Sequence, residues 1–402
     1  MLSLVISIKE LCYIFLSKEE YYLKDFKVSS KEQYAARIIF FISGFGISTW
    51  APMIPIIKER LQIGSDILGL LLLCIGISSF LMMPVAGLFA QKFGCKQVLR
   101  IMGLCMGVEI VILSMLPSIY MYGIFLFILG AIGGILNVNM NIHAVIVEKL
   151  SKKRMMSSMH ALWSVGCFVG AGLFSILAKL GLSITFIAGI HCIIIFIIIL
   201  LISRYFLPYK GAGNEKAIAI PKGIVTLFGV LAVISFLGEG GMMDWSGVFL
   251  TEAKGVDLSL AGVGYAVFSA AMLTGRLIGD KIVQIFGEKR IVICGGIIAS
   301  IGYMITIIFD NFIIMQIGFI LLGLGAANIV PVVFTLLGKQ NVMPINSAVT
   351  AVTSMGYLGV MFGPALLGFI AHGVGITAVF GILATLFIIQ AGISYYVFRV
   401  LK

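Results

Sequence analysis

From Tyr34 to the C-terminus the chain repeats one pattern: apolar stretches of about twenty residues, the length a helix needs to cross a hydrocarbon core, separated by short polar breaks. They fall near 34–57, 68–90, 98–116, 121–146, 157–179, 182–206, 222–250, 260–282, 290–309, 312–337, 346–371 and 374–400. A water-soluble globule cannot enclose that much apolar surface, because 60% of the residues are hydrophobic and only 11% are charged. Lipid must be the solvent. The expected fold class is an all-α membrane protein with roughly twelve transmembrane helices in two six-helix halves.

The formal net charge of +11 would suit nucleic acid only if it were clustered on one soluble face. Here the charges sit at helix ends. With the N-terminus inside, Lys92, Lys96, Arg100, Lys149, Lys152, Lys153, Arg154, Arg204, Lys210, Lys216, Lys222, Lys281, Lys289, Arg290, Lys339, Arg399 and Lys402 fall on the inner side, against Lys58, Arg60, Lys179 and Lys254 outside. That asymmetry places both termini in the cytoplasm. The cysteines, Cys12, Cys74, Cys95, Cys105, Cys167, Cys192 and Cys294, lie in or beside apolar segments without CxxC spacing, which argues against disulfides and metal sites. Leu2 to Leu16 is apolar but has no basic leader or small-residue cleavage site, and a charged stretch follows, so it does not read as a signal peptide.

The longest polar interruption beyond this arm runs from Pro208 to Lys222 and contains Gly211, Gly213, Asn214, Glu215 and Lys216. The expected organisation is a cytoplasmic arm 1–33, a six-helix bundle 34–207, a central cytoplasmic loop 208–221 and a second bundle 222–402. Sliding one half along the other brings Gln91-Lys92-Phe93-Gly94-Cys95-Lys96 onto Gln284-Ile285-Phe286-Gly287-Glu288-Lys289, with Trp50 close to Trp245. Both loops would join the second and third helices of their half, as in an internal repeat about an axis along the membrane normal.

With these features the chain resembles the major facilitator superfamily from Arg37 onward. The signature loop of that family looks like Gly87-Leu88-Phe89-Ala90-Gln91-Lys92-Phe93-Gly94-Cys95-Lys96, with Gln91 and Gln284 where an acid is usual. A narrower similarity, to the bacterial MosC-like subgroup, rests on Trp50-Ala51-Pro52-Met53-Ile54-Pro55, Met140-Asn141, Met156-Ser157-Ser158-Met159-His160, Glu239 with Asp244-Trp245-Ser246, Gly275-Arg276-Leu277-Ile278-Gly279-Asp280 and Gly356-Tyr357-Leu358-Gly359. The subgroup commonly has Asp where this chain has Asn137. The resemblance implies a monomeric, multi-pass carrier of a bacterial inner membrane, with helices one, four, seven and ten lining the central path.

Ionisable groups in a bilayer core tend to line a cavity or to pair. Glu239 and Asp244 in the seventh helix, and Glu109 in the third, are the candidate proton-coupling acids. Glu239 comes first because its segment is a lining one and no Lys or Arg is expected at its depth. Glu239 and Asp244 are about 140° apart on an ideal helix, so a distortion at Gly238, Gly240 and Gly241 would be needed for both to face one cavity. On the fourth helix Asn137 and Asn141 share one face, and Asn139 and His143 nearly the opposite one. The first pair, with Trp50, Trp245 and Asn328, is the candidate substrate-binding set; interhelical hydrogen bonding for the amides and membrane-interface anchoring for the indoles are the alternatives. Gly130, Gly133 and Gly134, and Gly356, Gly359 and Gly363, read as close-packing positions. Arg276 and Asp280, spaced i, i+4, can pair at the cytoplasmic end of the eighth helix as a gate, with Gln91 and Gln284 in the duplicated loop.

No GxxxxGK[ST], HExxH or GxSxG motif occurs in the sequence. The expectation is therefore a non-enzymatic, cofactor-free secondary transporter of a small polar organic solute such as a sugar, coupled to protons. An efflux antiporter for drugs or metabolites is one alternative; a membrane sensor on a carrier scaffold is another. The expected partners are the solute, protons and the lipid bilayer.

Overall fold

The computed structural model describes residues 28–50, 52–63, 65–210, 220–256 and 263–400. Residues 1–27 of the expected arm and 211–219 of the expected central loop lie outside the described residues. The first span opens at a capping box in which Ser29 Oγ accepts from Lys31 N and Glu32 accepts from Ser29 N. It begins as α1 (Ser30–Thr49) and resumes as α2 (Met53–Leu61). The break falls at Pro52, which has no N–H to give the Ser48 carbonyl. Spans two to six are α3 (Ser65–Phe93), α4 (Cys95–Met115), α5 (Ile119–Ser151), α6 (Met156–Lys179) and α7 (Ile184–Ile202).

The seventh span is α8 (Ile224–Val248), which widens into a π-helical turn at Phe249–Ala253. Next come α9 (Val263–Phe286) and α10 (Glu288–Ile308). The tenth span is split into α11 (Phe312–Ala326) and α12 (Ile329–Leu337), and α13 (Ile345–Val374) and α14 (Ile376–Val400) complete the chain. Among the described residues, 10 stretches are long and apolar enough to cross a membrane. The interrupted first span and α9, which carries Arg276, Asp280 and Lys281, make up the rest.

The chain groups into two compact units, one of 1–153, 159–220 and 341–351, the other of 154–158, 221–340 and 352–402. Lipid tails are as apolar as leucine, so helices in a membrane associate through close packing and hydrogen bonds. Small residues set the approach in each unit. In the first, α5 lies on α3 where a Cβ on Gly134 would stand 2.7 Å from Ser79 O, and Ser79 Oγ donates to Gly130 O at 2.7 Å. Gly133 points into open space. In the second, a Cβ on Gly302 of α10 would meet Gly318 O of α11 at 2.6 Å, and one on Gly359 of α13 would meet Val233 O of α8 at 2.7 Å.

The duplicated loop has matching backbones: Gly94 before α4 has φ 82° and ψ 144°, and Gly287 before α10 has φ 79° and ψ 153°. Side chains strain such a conformation, so glycine is needed in both copies.

α8 continues as α-helix through Gly238, Gly240 and Gly241, the positions at which a distortion was expected. Gly238 and Gly241 admit Phe387 and Leu383 of α14, whose side-chain atoms would lie 2.6 Å and 2.8 Å from an added Cβ. The helix departs from α geometry only at Phe249, beyond Asp244.

Candidate functional site

The main polar constellation of the second unit is built on α8. Arg276 of α9, 6% exposed, donates from Nη2 to Oε1 and Oε2 of Glu239 at 3.0 and 3.1 Å. Its Nε donates to Ala327 O at 3.3 Å. That carbonyl is available because the residue four positions on is Pro331, which has no N–H to close a helical bond. The proline thus breaks the tenth span and leaves an acceptor for the arginine. Asn328, in the break at φ −107° and ψ 3°, donates from Nδ2 to Gly275 O at 2.9 Å, while its buried Oδ1 has no partner. Tyr303 of α10 donates to Gly238 O at 3.1 Å, and Gln390 of α14 donates to Ser235 Oγ, one turn before Glu239, at 3.0 Å.

One expectation is corrected here. A basic group does lie at the depth of Glu239, because Arg276 stands about three turns inside the end of α9 rather than at its cytoplasmic tip. Arg276 pairs with Glu239 on the neighbouring helix, a partner the sequence did not point to. Asp280 is turned to the first turn of α6, where Oδ1 and Oδ2 accept from Ser157 N and Ser158 N at 3.0 and 3.2 Å. These amides are donors that a helix start leaves unsatisfied, and a carboxylate there also faces the positive end of the helix dipole. Close by in sequence, Glu288 at the start of α10 pairs with Arg154 and, at 2.8 Å, with Lys339. Gln284 is exposed and Gln91 of α3 is half-buried. Asp244 is exposed, Glu239 half-buried, and the indole nitrogen of Trp245 is buried without a partner.

In the first unit, Asn141 Nδ2 donates to Asn137 O and Oδ1 at 2.9 and 3.3 Å, and Asn141 Oδ1 has no partner. The other face of α5 is used for packing. Asn139 donates to Ala86 O of α3 at 3.1 Å and to Ile135 O at 2.9 Å, and His143 Nε2 accepts from Leu207 N at 3.0 Å. Trp50 is buried, 6.4 Å from the Tyr122 ring, with its Nε1 unpartnered. Tyr122 also contacts Arg60, whose guanidinium donates to Ser114 O and Leu116 O at 2.9 and 3.0 Å and so closes the end of α4. Glu109 is buried in α4 with Oε1 unpartnered, in a different unit from Glu239 and Asp244. Sequence reasoning missed the Glu239–Arg276 pair, although a charge inside an apolar span is itself a signal that a counter-charge must be near.

A polytopic helical protein with an ion pair and clustered amides inside its spans has the make-up expected of a membrane carrier. The chain is a member of the Major Facilitator Superfamily, whose family model matches residues 38–245 and 228–401. It is 42% identical over 373 residues to an uncharacterized MFS-type transporter of Yersinia pestis, covering 92% of this chain and 96% of that one. It is 28% identical to the membrane protein MosC of Rhizobium meliloti, covering 88% and 86% of the two chains. It is 26% identical to the multi-drug resistance efflux pump PmrA of Streptococcus pneumoniae, covering 85% and 89%. Among solved structures it resembles the human organic anion transporter TETRAN, with TM-score 0.74, 14% identity and coverage of 91% and 99%. It also resembles the E. coli fucose:proton symporter FucP, with TM-score 0.73, 15% identity and coverage of 91% and 98%. The chain is therefore an all-α MFS transporter of twelve transmembrane helices in two six-helix halves.

Proposed function

We propose that the protein moves a small polar organic solute by alternating access, coupled to protons, with Glu239 as the proton-carrying group. The observation that supports this is the Glu239–Arg276 pair inside the membrane spans, in which Nη2 donates to both carboxylate oxygens. An uncompensated charge at the bilayer centre costs about 2.5–3.5 kcal/mol on insertion scales, so the ionised pair is tolerated where a lone charge is not. Protonating Glu239 removes the anion and leaves the guanidinium to seek another acceptor. The link between α8, α9 and the broken tenth span then changes, which is the differential contact a proton needs to bias two conformations. Asp244, exposed in α8, and Glu109, alone in α4, are the second and third choices.

The solute-binding set is Asn137 and Asn141 on one face of α5, with Trp50, Trp245 and Asn328 offering unpartnered polar atoms. Asp280 serves as a gate by holding the start of α6. The setting is an inner membrane, with a monomeric chain and both termini cytoplasmic. A structural neighbour is a fucose:proton symporter and a sequence relative is a multi-drug resistance efflux pump, so their names point to different cargoes. The amide-bearing face of α5 supports the polar solute.

Glu239→Gln mimics the protonated acid. In proteoliposomes it should exchange substrate across the membrane yet lose accumulation driven by a proton gradient. Accumulation equal to that of the unaltered protein would overturn the role of Glu239.

A further inference from the structure

Hydroxyl groups in membrane helices usually donate back to their own helix, since no water is there to take the bond. Several hydroxyls among the described residues follow that habit. Thr49 donates to Phe45 O at 2.7 Å, Ser114 to Val111 O at 2.6 Å, Thr274 to Ala270 O at 2.8 Å, Thr306 to Tyr303 O at 2.7 Å and Ser394 to Gln390 O at 2.7 Å. Three hydroxyls of α13 do not. There Thr350 Oγ1, Thr353 Oγ1 and Ser354 Oγ have no partner, and neither does either side-chain polar atom of Asn346. Asn346, Thr350 and Thr353 are 0%, 1% and 4% exposed.

These four residues fall within about 100° of one another around the helix and span about 12 Å of its length. The glycine face of α13, at Gly356, Gly359 and Gly363, is turned roughly 130° away and is occupied by Phe236, Val233 and Leu237 of α8. The polar stripe is therefore not the surface that packs α13 onto α8. At Thr350 it meets α3 closely: a Cβ on Gly87, the first residue of the signature loop, would stand 2.6 Å from Thr350 Oγ1. Buried donors and acceptors left without partners are unfavourable. Such a stripe makes physical sense if another conformation gives it partners.

We propose that Asn346, Thr350, Thr353 and Ser354 form a solute-contacting face for a neutral, hydroxyl-bearing solute, shut in this conformation and wetted when the carrier opens at that end. The proposal rests on the carrier reading above. None of the four side chains is ionisable. Each both donates and accepts, which matches the hydroxyls of a sugar or other polyol better than it matches an organic ion.

The test uses the full chain in lipid vesicles, with its seven cysteines replaced by serine and single cysteines placed at Thr350, Thr353 and, as a dry control, Thr306. The small hydrophilic reagent 2-aminoethyl methanethiosulfonate should modify Thr350→Cys and Thr353→Cys at least tenfold faster than Thr306→Cys. A mixture of D-xylose, L-fucose and mannitol should slow that reaction, and citrate should not. Because labelling needs no ion gradient, it reports on this face whether or not Glu239 couples protons. Reaction no faster than at Thr306→Cys overturns the proposal. Reaction that the sugars leave untouched, or that citrate alone slows, overturns the neutral-solute assignment. Should the cysteine variants fail to fold, Thr350→Val with Thr353→Val serves instead. A packing-only stripe predicts unaltered exchange of the same sugars in that variant, whereas the proposal predicts at least a tenfold loss with thermal stability retained.

Discussion

Arg276 owes its place to three helices: its own α9, Glu239 on α8 and the Ala327 carbonyl that Pro331 leaves without a helical donor. Removing one member of a buried ion pair strands the other, which typically costs about 3–5 kcal/mol. Arg276→Gln is therefore expected to lower the thermal unfolding midpoint strongly, and adding Glu239→Gln to recover most of the loss. A double variant no more stable than Arg276→Gln alone would show that the pair is not what Arg276 provides. The amides of α5 make a second contrast at this scale. Asn139 is committed to Ala86 O and Ile135 O, so Asn139→Ala should cost about 1–3 kcal/mol of stability and leave solute affinity nearly unchanged. Asn141→Ala should do the reverse, with affinity falling about ten- to a hundredfold in thermal-shift titration of the transported solute. Equal affinity in Asn141→Ala and the unaltered protein would move the binding face elsewhere. The division of α5 into two polar faces was legible from residue spacing. Which face meets α3 was not, because the partner of Asn139 is a carbonyl 53 positions away.

Elements show the same mixture. Twelve apolar stretches were readable because a spanning helix has a length set by the bilayer. The first and tenth spans read as unbroken in the sequence, and only the fold showed them interrupted near Pro52 and Pro331 and gave the freed Ala327 carbonyl to Arg276. A glycine that bends a helix and one that admits a neighbouring side chain look alike in sequence, and only the fold shows Gly238 and Gly241 of α8 admitting Phe387 and Leu383. Asp280 belongs to this scale because it acts on the end of a helix. Asp280→Ala removes both acceptors from the first turn of α6 and should cost about 0.5–2 kcal/mol, read as a lower unfolding midpoint. If Asp280 also holds a gate, single cysteines near that end of α6 should become more reactive to an impermeant maleimide in the variant. Unchanged reactivity would leave Asp280 as a helix cap alone.

For the whole molecule, the Lys/Arg asymmetry predicts a central loop on the cytoplasmic side. Asn214→Cys and Asp257→Cys, both outside the described residues, are the probes for it. In intact cells an impermeant thiol reagent should modify Asp257→Cys and spare Asn214→Cys until the membrane is opened. The opposite pattern would invert the topology. Family membership places the chain among carriers, and the duplicated loop was visible in the sequence as two glycines at matching positions, because both copies need the same backbone conformation that side chains disfavour.

By itself the sequence determined what depends on local properties: the solvent, the number and length of spans, the two-fold repeat, and the short list of polar residues that lipid would not tolerate without a reason. Only the tertiary structure decided which of those residues meet. Glu239 reaches Arg276 across 37 positions and Gln390 reaches Ser235 across 155. The same holds for the hydroxyls of α13, whose missing partners become visible only once every neighbouring helix is in place. Hydropathy records that a side chain is polar, but whether its hydrogen bond is made is a property of everything packed around it.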